Sequence, residues 1–123
     1  MAADLDLKLL TLNCWGLWIV SKHRKQRFEA IGDWLASTSQ DHNSVHHAPA
    51  SSYDFVCLQE VWVRSDGDYL RQRARESGLN YSRLFYSGAL GSGLLILSRR
   101  PLLDSRIFSF PLNGNPLHAI EGE

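Results

Sequence analysis

The sequence predicts an α/β protein, and three observations support this prediction. Two apolar runs, over residues 7–13 and 54–60, have the length and composition of buried strands. The segment between them, over residues 21–35, carries apolar residues at helical spacing. A strand, a helix and a second strand in this order imply two parallel strands joined by a right-handed crossover.

The first strand is predicted at residues 7–13, where nearly every position is apolar, as in a central strand covered on both faces. Gly16 ends this strand. Ser21 is a suitable N-cap for the following helix, which we expect to reach about Leu35. The expected buried stripe of that helix comprises Phe28, Ile31 and Leu35, with Trp34 at its flank.

Residues 36–52 are predicted to form a loop, inserted within the domain and rich in Ser, His, Asn and Asp. Loops of this length are either functional or particular to one family. The loop contains His42, His46 and His47. We expect no metal site there, because no Cys or carboxylate cluster accompanies these histidines at ligand spacing.

The second strand, at residues 54–60, is followed by a second predicted helix at residues 66–76, with Tyr69 and Leu70 facing inward. Asn113-Gly114 is typical of a hairpin turn. No internal repeat or domain boundary is visible. Short apolar runs predict three further strands, at residues 81–86, 93–98 and 106–110.

The charge balance argues against a nucleic acid partner. Thirteen basic residues match thirteen acidic ones, so the formal net charge is zero. Nucleic-acid-binding domains usually carry a strong basic excess. We therefore expect no nucleic acid to bind.

Lys22, Arg24 and Lys25 nevertheless form a local basic cluster at the start of the first helix, where cations oppose the helix macrodipole. One hypothesis is that this face meets phosphate or anionic lipid at a bilayer surface. The alternative is a solvated helix end without a partner. Trp15, Trp18 and Trp62 follow the first two strands, and either lipid contact or ordinary packing accounts for them.

Only Cys14 and Cys57 are present, too few for a disulfide framework, and we interpret both as structural thiols. The acidic start of the chain lacks the apolar core of a signal peptide. The longest aliphatic run, at residues 94–97, is far shorter than the roughly 20 residues that span a bilayer. We therefore expect an intracellular protein, membrane-associated in its full-length form through an anchor outside this chain.

Two polar residues, Asn13 and Glu60, end the first two predicted strands. Parallel strands end at the same edge of a sheet, where open α/β sheets place their ligand crevice. A carboxylate and an amide oxygen suit Mg²⁺, which takes oxygen ligands and often retains water and substrate phosphate. The alternative is that Glu60 only caps its strand and Asn13 only starts a turn.

Three stretches carry a resemblance to a known family. They are Leu12-Asn13-Cys14-Trp15-Gly16-Leu17, Leu58-Gln59-Glu60-Val61-Trp62, and Gly91-Ser92-Gly93-Leu94 with Ser98-Arg99-Arg100-Pro101. In this order and spacing they resemble the DNase I-like endonuclease/exonuclease/phosphatase superfamily. Within it, the chain is most similar to neutral sphingomyelinases, including the fungal enzymes that cleave inositol phosphosphingolipids.

The resemblance implies the N-terminal part of a four-layered α/β sandwich, with two mixed sheets flanked by helices. It also implies Mg²⁺-dependent, phospholipase C-like hydrolysis of sphingomyelin or inositol phosphosphingolipids to ceramide and a phosphorylated head group. Glu60 matches the family's metal-ligand carboxylate, and Asn13 matches the Asn beside it. Both are therefore candidates for catalysis and for metal binding, with a sphingolipid at a membrane surface as substrate.

The family pattern continues with an Asp-x-Asn pair, another active-site His and a terminal Asp-His pair, which this chain does not contain. His118 is no substitute, because it follows a hairpin turn and has no Asp partner in a matching motif. We therefore expect residues 1–123 to be a truncated, inactive part of the domain. The alternatives are a nuclease or inositol-phosphate phosphatase of the same superfamily, or a non-catalytic truncated product.

Overall fold

Four strands and two α-helices make up the described part of the chain. The structure is a computed structural model that describes residues 3–17, 21–39, 48–86 and 93–108. A short 3-10 helix, Ala50–Ser52, precedes the second strand. In chain order the main elements are β1 (Leu9–Asn13), α1 (Arg24–Leu35), β2 (Phe55–Gln59), α2 (Arg64–Glu76), β3 (Tyr81–Tyr86) and β4 (Gly93–Ser98).

The strands form one mixed sheet in the order β1-β2-β4-β3. β1 and β2 are parallel, with Asn13 opposite Gln59 at their carboxyl ends. β4 is antiparallel to both β2 and β3. The predicted α/β class and the parallel pair joined by a helix are confirmed, and the arrangement agrees with the N-terminal part of the expected sandwich.

Both helices pack on one face of the sheet. From the sheet, alternate residues of the central strands are buried there, and they are Val56, Leu58, Leu95 and Leu97. From the helices, the buried apolar residues are Phe28, Leu35, Leu70 and Ala74. Full burial of one such large side chain contributes about 1.5–3 kcal/mol. The predicted stripe of α1 is confirmed, since Ile31 and Trp34 also pack against this core.

β1 differs from the prediction of a central strand covered on both faces. It begins at Leu9 and lies at the edge of the described sheet, where Leu9 and Leu12 are 59% and 39% exposed. The apolar run predicted burial correctly for Leu10, which packs against the core. The helices cover only one sheet face, so that the side chains of Leu9 and Thr11 lie on the other face, in the open.

α1 begins three residues later than predicted, and Ser21 is not its N-cap. His23 occupies that position in the left-handed conformation (φ 52°), without a side-chain capping bond. The Ser21 hydroxyl instead donates to the carbonyl of Leu17. Because the Ser21 hydroxyl is bonded to Leu17, it does not cap α1.

The other predicted elements are mostly confirmed. β3 and β4 have the predicted bounds, and α2 begins two residues earlier than predicted. The predicted strand at 106–110 is wrong for residues 106–108, which form no strand, while residues 109 and 110 lie outside the described residues. Seven other residues of the sequence predictions also lie outside the described ranges, and they are Trp18, His42, His46, His47, Asn113, Gly114 and His118.

Candidate active site

Asn13 and Glu60 meet at the carboxyl edge of the parallel pair. The Asn13 side-chain Nδ2 donates a hydrogen bond of 2.8 Å to Glu60 Oε1. The Asn13 amide oxygen accepts a 2.9 Å hydrogen bond from the backbone N–H of Trp15, which fixes the orientation of the amide. Asn13 is exposed and Glu60 half-buried, so that the pair faces solvent at this edge. The structure therefore brings the two predicted site residues together.

Backbone hydrogen bonds continue past the strand ends and hold this edge in place. The N–H of Cys14 donates to the carbonyl of Gln59, and the N–H of Gly16 donates to that of Glu60, both at 2.9 Å. Glu60 itself lies in the left-handed region (φ 56°), as does Trp15 (φ 47°). Non-glycine residues in this conformation are uncommon, and they cluster at functional sites.

Two glycines are required by close approaches at this edge. A Cβ atom at Gly16 would collide with the carbonyl oxygen of Glu60, and one at Gly93 would collide with that of Val61. The contacts are with backbone, which cannot move aside as a flexible side chain would. The sequence alone indicates Gly16 as the end of a strand, and the structure adds the packing reason.

Arg27 supports the loop beside the site, and the sequence alone does not single it out. Its guanidinium donates to the carbonyl of Cys14 (3.2 Å), to that of Trp15 (2.6 Å) and to that of Lys22. It also lies over the Trp15 ring, with its Cζ 5.0 Å from the ring centroid. Arg27 thus ties the loop after β1 to α1. Nothing in the spacing distinguishes it from neighbouring basic residues, so only the contacts identify it.

Cys14 is buried directly after Asn13. Burial raises the pKa of this thiol to about 12, the charge of Arg27 lowers it, and that of Glu60 raises it further. The thiol is therefore neutral at physiological pH and does not act as a thiolate ligand or nucleophile. This agrees with the interpretation of Cys14 as a structural thiol.

The donors at this edge are oxygens. Glu60 Oε2 has no partner among the described residues, since Asn13 engages only Oε1. No group of three or more His, Cys, Asp or Glu side chains converges anywhere in the described ranges. One carboxylate with a neighbouring amide fits Mg²⁺, which is often bound through one or two carboxylates and otherwise by water and phosphate.

The tryptophans differ in their surroundings. Trp15 is 47% exposed beside the site. Trp62 is half-buried, and its indole N–H is buried without a partner among the described residues. Ordinary packing alone leaves that donor unexplained, because buried donors are nearly always paired.

A family model matches residues 10–123, which is most of the chain, and its description is "Endonuclease/Exonuclease/phosphatase family". The chain belongs to this family. The expected resemblance is confirmed, and the family is one of hydrolases.

Several curated relatives are similar to the chain. Inositol phosphosphingolipids phospholipase C of Saccharomyces cerevisiae is 42% identical over 96% of this chain and 26% of the relative. Putative neutral sphingomyelinase of Drosophila melanogaster is 40% identical over 89% of the chain and 22% of the relative. Human sphingomyelin phosphodiesterase 2 is 34% identical over 98% and 25%. The chain spans about a quarter of the length of these relatives.

None of the helices in the described ranges is both long enough and apolar enough to cross a bilayer.

Proposed function

We propose that this chain forms the part of a sphingolipid phosphodiesterase that supplies Glu60 and Asn13 to the catalytic centre. The reaction is phospholipase C-like hydrolysis of sphingomyelin or an inositol phosphosphingolipid. Water loses a proton and adds to phosphorus, and the bond from phosphorus to the ceramide oxygen breaks. The ceramide oxygen takes up a proton, and ceramide and the phosphorylated head group are released as separate products. The names of the relatives support this choice of substrate.

The observation that carries the proposal is the 2.8 Å hydrogen bond between Asn13 and Glu60 at the carboxyl ends of two parallel strands. The bond fixes one carboxylate oxygen, and the other oxygen remains available for a ligand. A strand-capping role for Glu60 alone would not require a hydrogen-bonded amide whose own orientation is fixed by Trp15.

Glu60 would hold Mg²⁺, with Asn13 orienting its carboxylate or adding an amide oxygen. When bound, the ion supplies electrostatic stabilisation of the charge that develops on the phosphoryl oxygens. Two sets of contacts in this chain hold the oxygen donors of Asn13 and Glu60 in place. They are the backbone hydrogen bonds after β1 and β2, and the hydrogen bonds of Arg27 to the loop after β1. The family resemblance implies that the His of a terminal Asp-His pair, which residues 1–123 do not contain, accepts the proton of water.

The test uses the full-length gene product and its Glu60→Gln variant. We expect hydrolysis of sphingomyelin or inositol phosphosphingolipid by the wild type, abolished by EDTA and restored by Mg²⁺. Glu60→Gln should lower kcat at least about a hundredfold, the usual scale for losing a preorganised electrostatic contact. Glu29→Gln is the matched control, since Glu29 is exposed on α1 and makes only a 3.9 Å pair with Lys25. Full activity of Glu60→Gln would refute the proposed site.

The same assay separates the alternatives. Cleavage of abasic DNA or of an inositol phosphate, without hydrolysis of either sphingolipid, would instead favour a nuclease or a phosphatase of this family. The 123-residue chain, assayed alone, should be inactive, because it lacks the Asp-His pair to which the family resemblance assigns the general base. Turnover by that chain, lost on adding EDTA, would contradict this expectation.

Contact with anionic lipid through the basic cluster also remains a proposal. Lys22 and Lys25 are exposed, whereas Arg24 is engaged by an ion pair with Asp66. Lipid contact is therefore assigned to the two lysines. Lys22→Glu with Lys25→Glu should weaken binding to anionic vesicles and leave binding to neutral vesicles unchanged. Unaltered binding to anionic vesicles would exclude this role.

A further inference from the structure

A second polar cavity lies between α2 and β3, away from the Asn13–Glu60 pair. Its volume is about 180 Å³, or about six water volumes, which is enough for a phosphate group and the first atoms of an ester. The lining comprises Arg64, Arg71, Ser82, Arg83, Leu84 and Tyr86. Two guanidinium groups, those of Arg64 and Arg71, contact the Tyr86 and Ser82 side chains of this lining. Arg83 alternates with Ser82 and Leu84 along β3, so its side chain lies on the opposite sheet face. We call this cavity the arginine pocket.

The positive charge of the arginine pocket is only partly compensated within the described residues. Arg71 lies 3.7 Å from the carboxylate of Asp68, and its Nε donates to the Ser82 hydroxyl at 2.8 Å. Arg64 has no carboxylate partner in the described ranges. Two cations therefore share one carboxylate, and an anion in the pocket would offset their mutual repulsion.

Tyr86 forms one wall of the pocket and holds Arg64 in place. The Arg64 Cζ lies 5.3 Å from the centroid of the Tyr86 ring, in a cation–π contact. Burial raises the pKa of Tyr86, with Arg64 and Arg71 lowering it and Asp68 raising it. The phenol is therefore uncharged at physiological pH and does not neutralise the guanidinium groups.

The topology places Tyr86, at one end of the pocket lining, at the same sheet edge as the candidate active site. β3 and β2 are both antiparallel to β4, so Tyr86 and Glu60 lie at the same end of the sheet. β3 is separated from β2 by β4, which corresponds to about 10 Å at the usual strand spacing. The Tyr86 end of the pocket thus lies beside the edge that carries Glu60.

We propose that the arginine pocket binds a phosphate-type anion at a site separate from the Asn13–Glu60 pair. Guanidinium groups bind phosphate oxygens through paired, charge-assisted hydrogen bonds, which a monovalent halide cannot match. The chemistry is shared by a soluble phosphate and by the phosphomonoester head group of an anionic lipid. The proposal goes beyond the hydrolytic function and does not depend on it.

The first experiment titrates inorganic phosphate into the full-length gene product, with EDTA present so that no divalent cation binds phosphate at Glu60. Calorimetry or amide chemical shifts report the affinity. Arg64→Gln combined with Arg71→Gln should weaken phosphate binding by at least about tenfold. Arg75→Gln is the matched control, because Arg75 is an exposed arginine of α2 outside the pocket.

A second variant guards against loss of folding. Arg64→Lys with Arg71→Lys keeps both charges but removes the paired donors, so its phosphate affinity should fall between those of the wild type and the glutamine variant. Thermal unfolding of each variant is measured alongside. If the glutamine variant does not fold, an affinity of the lysine variant equal to that of the wild type overturns the proposal.

Vesicle binding distinguishes the two sources of the anion. Phosphatidylcholine vesicles with and without phosphatidic acid are sedimented with the wild type and the glutamine variant. A head-group site predicts that the variant loses the binding that phosphatidic acid adds, and a soluble-phosphate site predicts equal vesicle binding with weaker phosphate binding. Equal affinities of wild type and variant in both assays overturn the proposal, and so does a wild type that binds no phosphate. None of these outcomes depends on hydrolysis.

Discussion

The Asn13 side chain has two fixed partners, and this limits what it can do at the site. Its nitrogen donates to Glu60, and its oxygen accepts from the backbone of Trp15. The oxygen keeps one lone pair, so direct metal contact is geometrically allowed. The observed bonds support an orienting role more directly, because they set the rotamer of the carboxylate beside it.

Asn13→Ala should therefore weaken Mg²⁺ activation more than it weakens the fold. Loss of a ligand-orienting partner typically costs about 10–100-fold in metal affinity or activity. The lost hydrogen bond is solvent-exposed, so we expect a decrease of only about 1 kcal/mol in the free energy of unfolding. The measurement is the Mg²⁺ concentration giving half-maximal hydrolysis by the full-length gene product.

Gln59→Ala is the control for this prediction. Gln59 lies next to Glu60, but its side chain bonds to Thr11 on the open sheet face, at 2.7 Å. The same Mg²⁺ requirement in wild type and Asn13→Ala would show that Asn13 does not act on the metal site.

One arginine of the basic cluster contributes to the contact between α1 and α2. Arg24 forms an ion pair with Asp66, and its Nε donates to the carbonyl of Gly16 at 3.1 Å. Its Cζ also lies 5.4 Å from the Phe28 ring centroid. Both members of the pair are 19% exposed, so solvent screens this ion pair less than a surface pair.

Asp66→Asn should destabilise the protein by about 1–2 kcal/mol, because it leaves the Arg24 charge without its partner between two helices. Urea unfolding measures the change. Lys25→Gln, which removes a cation that is 86% exposed, should change the free energy of unfolding by less than about 0.5 kcal/mol. Equal effects of the two substitutions would show that the pair is an ordinary surface contact. Because Arg24 is paired with Asp66 between the helices, a test of lipid binding by the basic cluster should not replace Arg24.

For the whole molecule, the main feature is that the described helices cover one sheet face and leave the other largely open. Half-buried apolar side chains lie on that face, including Phe55, Phe85, Leu94 and Ile96. A groove of about 220 Å³ runs over it, and within the described ranges the segment after β4 contributes Arg106 and Ile107 to its lining. Apolar patches of this kind favour association, and β1 adds an exposed strand edge.

The 123-residue chain alone should therefore self-associate. Size-exclusion chromatography with light scattering should show oligomers or aggregates that increase with concentration. Ile96→Thr should reduce association, because it removes apolar surface from this face and keeps a β-branched residue in the strand. Leu103→Thr is the control, since Leu103 is 96% exposed but does not line the groove. A monomeric wild-type chain that melts cooperatively would contradict this prediction.

The sequence was sufficient for those features that depend on local patterning. Apolar runs with defined stops located β3 and β4 at their observed bounds. Chain order alone predicted that β1 and β2 are parallel, which placed Asn13 and Glu60 at one edge. These inferences succeeded because strand length, helical period and crossover handedness are properties of nearby residues and of chirality.

Only the tertiary structure decided which faces are covered and which side chains become partners. An apolar run such as that of β1 predicts burial, but the position of the helices determines which of its residues are buried. Arg24, Arg27 and Arg64 are indistinguishable as basic residues in the sequence. They acquire separate roles only through partners up to 42 residues away, such as Asp66 for Arg24. Packing brings such distant groups together, and no pattern among neighbouring residues predicts which of them become partners.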